Sequence, residues 1–114
     1  MSEEFWDILA ELVADSQIIY DRLKGSTHPR YPEQIYPVDY GYLQGTGAID
    51  GGGVDIWVGT SGKKTITGVL CTVDLIKKDT ELKILFDCTQ EEITSILKFV
   101  NTKKMRAIYL EKGR

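Results

Sequence analysis

The chain has 114 residues, of which 42% are hydrophobic and 27% charged, the balance of a globule rather than of a disordered or membrane-spanning polypeptide. This length allows one hydrophobic core, so residues 1–114 read as one domain and a two-domain enzyme is excluded. Fourteen Lys plus Arg against seventeen Asp plus Glu leave a net charge of −3, which gives no basic field for nucleic acid.

At the N-terminus, Glu3 and Glu4 precede Phe5 and Trp6, the wrong charge for a signal peptide. No apolar run reaches the roughly 20 residues that a bilayer requires. The expectation is a cytoplasmic protein with no membrane partner. Residues 3–14 place Phe5, Ile8, Leu9, Leu12 and Val13 at helical spacing, with Ser2 as a cap and Trp6 facing the core. Residues 17–21 are β-prone and end before Gly25. From 26 to 38 the chain carries all three prolines, at 29, 32 and 37, and reads as a surface loop in which His28 makes a surface hydrogen bond.

Eight of the eleven glycines fall between 41 and 62, which signals tight turns or close backbone approach. Residues 54–58 form a strand candidate. The segment Gly59-Thr60-Ser61-Gly62-Lys63-Lys64 superficially suggests a phosphate loop, but it lacks the glycine spacing and following helix of that motif and reads as a hairpin turn. Residues 65–76 and 81–86 are two further strands around the polar turn Lys77, Lys78, Asp79. Cys71 and Cys88 sit in separate apolar stretches and read as small reduced hydrophobes, with no disulfide or zinc spacing. Thr89 caps a helix from 90 to 101 with the apolar stripe Ile93, Ile96, Leu97 and Val100, and residues 106–110 close the chain as a strand. Many short strands with a helix at each end predict an α+β or mainly β domain, a small, mainly antiparallel barrel flanked by helices.

Three groups of residues carry the candidate chemistry. Asp50 and Asp55 bracket Gly51-Gly52-Gly53-Val54, and Asp74 and Asp79 flank a strand-to-strand turn; carboxylates converging from two hairpins suit a hard cation such as Mg²⁺. The plainer reading has Asp50 opening a turn, Asp55 facing water and Asp79 solvating a turn. Tyr36-Pro37-Val38-Asp39-Tyr40-Gly41-Tyr42 supplies phenols able to donate to a phosphoryl oxygen, or to cover the barrel as amphipathic packing. Arg22, Lys24 and Arg30 surround Gly25 as phosphate contacts or as solvated loop charges.

The order of these pieces resembles the soluble family I inorganic pyrophosphatases over residues 17–86, and more faintly over the last helix and strand. The resemblance implies an OB-like, five-stranded antiparallel barrel and Mg²⁺-dependent hydrolysis of diphosphate or a related phosphoanhydride, with Mn²⁺ as a second cation. By the same resemblance Asp50, Asp55, Asp74 and Asp79 bind metal, Arg22 and Tyr40 contact phosphate, and Lys24 or Arg30 assist. Gly52 stands where the family has its central aspartate, so Asp39 or Asp55 takes over proton transfer in this scheme. The family's lysine beyond the second late aspartate is Glu81 here, with Lys83 next on the same strand face. These departures motivate an alternative: a catalytically impaired relative that binds a phosphorylated metabolite or a protein partner. Self-association stays open.

Overall fold

The computed structural model describes residues 3–47 and 51–113. Its elements are α1 (Glu3–Ala14), β1 (Ile18–Arg22), β2 (Asp39–Leu43), β3 (Val54–Val58), β4 (Ile66–Asp74), β5 (Asp79–Phe86), α2 (Gln90–Val100) and β6 (Met105–Glu111). Most lie within a residue or two of the expected positions; β2 is the exception, since its tyrosines carried no strand expectation. Gly41 makes β2 possible, because a Cβ there would collide with the Ile19 carbonyl of β1.

The strands form one six-stranded sheet in the order β1-β2-β3-β5-β4-β6. Only β3 and β5 pair in parallel; the other four pairings are antiparallel. The five-stranded barrel is therefore corrected to an open mixed sheet in an α+β domain, with β1 and β6 as its edges. A barrel hides one face by curling on itself, whereas here each face is covered by a helix. Trp6, Leu9 and Val13 of α1 pack with Leu43, Ile56, Ile66, Val69 and Ile84. Ile93, Ile96 and Val100 of α2 pack with Trp57, Leu70 and Leu85 on the opposite side. The alternation along a strand does this sorting: Ile56 and Trp57, Val69 and Leu70, and Ile84 and Leu85 each split between the two cores. Ile8, expected in the buried stripe of α1, is 65% exposed because Trp6 occupies the face that the sheet covers.

Residues 59–64 do not form a hairpin, because β5 lies between β3 and β4. The connection is instead tied to the segment after β5. Asp87, 4% exposed, accepts from the Ser61 hydroxyl and from Lys64 N (3.2 Å). The Ser61 bond leads in holding its carboxyl below the usual carboxylate range. Beside it, Thr89 and Glu92 form a capping box at the start of α2, and Glu92 also accepts from Thr60 N and Oγ1.

Helix α2 covers only part of its face. Eleven residues span about 16 Å, against about 30 Å for the nine residues of β4. Leu70 and Leu85 lie beneath the helix, while Thr72 and Asp74 on β4 and Asp79, Glu81 and Lys83 on β5 share that face toward the other end of the strands. Cross-strand register sets Thr72 opposite Glu81 and Asp74 opposite Asp79.

Candidate binding pocket

The open half of this face is the floor of a pocket of about 400 Å³, within the ordinary range for small-ligand sites. Its mouth is bounded by residues 102–105 after α2, by Ile76 and Lys77 of the β4–β5 turn, and by the β1–β2 loop. That loop is folded back by a bridge between Thr27 and Ile35 and by Tyr36 N donating to Ser26 O (2.9 Å).

One wall is aromatic. Tyr40 and Trp57 face one another across β2 and β3 with ring centroids 4.6 Å apart, and Phe99 of α2 lies 4.7 Å from Tyr36. His28 and Tyr31 extend the wall at the loop, their rings 5.0 Å apart. Burial first, then the charges of Arg22 and Arg30, lowers the His28 pKa and favours the neutral imidazole. Tyr36, held by a hydrogen bond with Arg22, has its phenol pKa raised chiefly by burial.

The other side is ionic. Lys83 Nζ donates to Tyr40 Oη (2.7 Å) and Asp55 Oδ2 (3.0 Å), and lies 3.8 Å from Glu81 Oε2 and 5.2 Å from the Tyr40 ring centroid. Lys77 lies 3.9 Å from the other Glu81 oxygen. Burial, followed by the Asp55 charge and its hydrogen bond, pushes the Tyr40 phenol well above its usual range. Burial is also the largest influence on Glu81; its carboxyl is raised despite Lys83, with Asp55 and a hydrogen bond to Asp79 adding to the rise.

The structure separates the residues named from the sequence. Tyr40, Asp74 and Asp79 line the pocket, and Asp55 reaches it through Lys83 and Tyr40. Asp74, to which the plainer reading gave no turn role, is a turn aspartate, with Oδ1 accepting from Ile76 N (2.9 Å) and Lys77 N (3.1 Å). Arg22, Lys24, Arg30 and Asp39 stay outside the lining. Asp39 Oδ1 accepts from Lys24 N (2.8 Å), Arg22 Nη1 donates to the Asp21 carbonyl, and Arg30 N donates to His28 Nδ1. Asp50 lies outside the described residues. Among the described residues no three His, Cys, Asp or Glu side chains are grouped to hold a metal ion. Asp55 and Asp74 each have an oxygen engaged, Asp55 by Lys83 and Asp74 by the turn backbone.

Glu81, Lys83, Trp57 and Phe99 were missed as site residues. The period-two run Asp79, Glu81, Lys83 ahead of Leu85 was the available signal that this face turns from open to covered.

Among the described residues no helix is long and apolar enough to cross a membrane. No protein-family model, curated protein or solved structure matches this chain.

Proposed function

We propose that the chain is a non-catalytic binding module whose pocket takes a small organic ligand with a planar, apolar part and a polar head. One observation carries this reading: an aromatic wall and a set of half-buried carboxylates line a single cavity, while the half-buried ammonium of Lys83 is already engaged by Tyr40 and Asp55. Aromatic surface supplies the burial and a few fixed polar groups supply orientation, the usual division of labour in such sites. Amide chemical-shift mapping with a panel of indole and phenyl compounds of differing charge tests it. Shifts concentrated at Tyr40, Trp57, Glu81 and Phe99 support the proposal, and their absence across the panel rejects it.

A second reading is the Mg²⁺-dependent phosphoanhydride hydrolysis implied by the family resemblance. The shared sheet face of Asp55, Asp74 and Asp79 favours it. It requires Asp55 to exchange Lys83 for the cation. Phosphate release from diphosphate with Mg²⁺ or Mn²⁺ decides between the two: turnover by folded protein displaces the binding-only reading, and no turnover at any metal concentration removes the hydrolase.

A further inference from the structure

Resting on the pocket reading above, we infer that the ligand class is an organic cation, an amine or guanidine carried on a planar or apolar group, with its charge seated between the aromatic wall and Asp79 and Glu81. The protein's own cation shows how the site treats such a charge. Lys83 Nζ is held by a phenol oxygen and a carboxylate, beside a second carboxylate and over a tyrosine face, the combination that recognises ammonium groups. Beyond Lys83, the floor still carries more acid than base. Among the half-buried charges of this face, Asp74, Asp79 and Glu81 line the pocket with Lys83, and Asp55 lies behind Lys83, whereas Lys77 at the turn is exposed.

The remaining lysines at the mouth do not reverse this sign. Lys103 and Lys104 are exposed, as is Lys77, whereas Asp74, Asp79 and Glu81 are half-buried. Charges in water are screened within about 10 Å, and those in the lower dielectric of a cavity are screened less, so the deeper acids set the preference at the floor. Asp79 and Glu81 also lie two positions apart on one face of β5, so both carboxyl groups line the same side of the pocket.

Tryptamine and indole-3-propionate, which share a ring and differ in the sign of the head group, make the test. In shift-mapping titrations, tryptamine is expected to bind at Tyr40, Trp57, Asp79 and Glu81 roughly tenfold or more tightly than indole-3-propionate. Glu81→Gln, checked as folded by its amide spectrum, should weaken tryptamine about tenfold and leave indole-3-propionate unchanged or improved. Tyr31→Ala, at a half-exposed wall position, should weaken both ligands alike. Equal or tighter binding of indole-3-propionate overturns the cation assignment and leaves the pocket reading intact. Pocket shifts from neither compound, or an undiminished tryptamine affinity in Glu81→Gln, also overturn it, and the former removes the pocket reading as well.

Discussion

Replacing Lys83 with Met keeps the aliphatic stem against the Tyr40 ring and deletes only the ammonium. The nitrogen sits 3.0 Å from Asp55 and 3.8 Å from Glu81; at an effective dielectric of about 20 those separations correspond to gross attractions of roughly 5 and 4 kcal/mol. Desolvation of the three groups offsets much of this, and Lys83 and Asp55 retain 13% and 20% side-chain exposure. A net loss of about 3 kcal/mol follows, at the low end for breaking a buried pair. Part of it comes from the lost pair and part from leaving Asp55 and Glu81 facing one another uncompensated. Urea unfolding should give that deficit near pH 7, about ten degrees in Tm for a chain of this size. The deficit should shrink toward pH 4. Without the ammonium the Glu81 carboxyl, already raised by burial, loses the charge that lowers it, so it adds stability in acid and withdraws it as pH rises through the folded value. A deficit under about 1 kcal/mol at neutral pH, or one independent of pH, would refute the central place given to Lys83.

Glu81 already has a raised carboxyl pKa from burial, so its contribution is greatest in acid and is lost as pH rises through the folded value; Glu81→Gln should therefore gain relative stability from pH 4 to pH 7 in paired urea curves. Asp87 has the opposite sign, lowered chiefly by the Ser61 bond: Asp87→Asn should cost about 2 kcal/mol near neutrality, with the difference closing as acid protonates the wild-type carboxylate. Thr89→Ala removes the hydroxyl that accepts from Glu92 N (3.2 Å) and should lower stability by about 1 kcal/mol, with the loss centred on α2 in amide exchange. The Cys88 thiol, buried and pushed up to about 12 mainly by burial, should resist a thiol reagent in native protein while half-buried Cys71 reacts, both becoming reactive in urea.

Local chemistry made much of the chain legible in one dimension. Thr89 with Glu92 three residues on marks a helix start whatever surrounds it, because both groups act within one turn. The apolar segments that became β3, β4 and β5 are similarly self-announcing. β2 was not, since its alternating Tyr40 and Tyr42 around Gly41 look like loop chemistry until β1 and β3 supply its partners. The aspartates were legible as a pattern, but the bonds their oxygens make were not. Asp74 and Asp79 do meet across a turn, yet the turn backbone competes for an Asp74 oxygen, which spacing does not display.

The amino-acid order by itself determined which stretches are helical or extended and which side chains share a strand face, because those properties depend on periods of two and 3.6 residues and on contacts within a turn. Only the tertiary structure decided that the sheet stays open, that β5 enters between β3 and β4, and that α2 stops short of the strand ends. Those choices join residues dozens of positions apart. They set Lys83 against Tyr40 and Asp55, and with it the sign of the charge left over in the pocket.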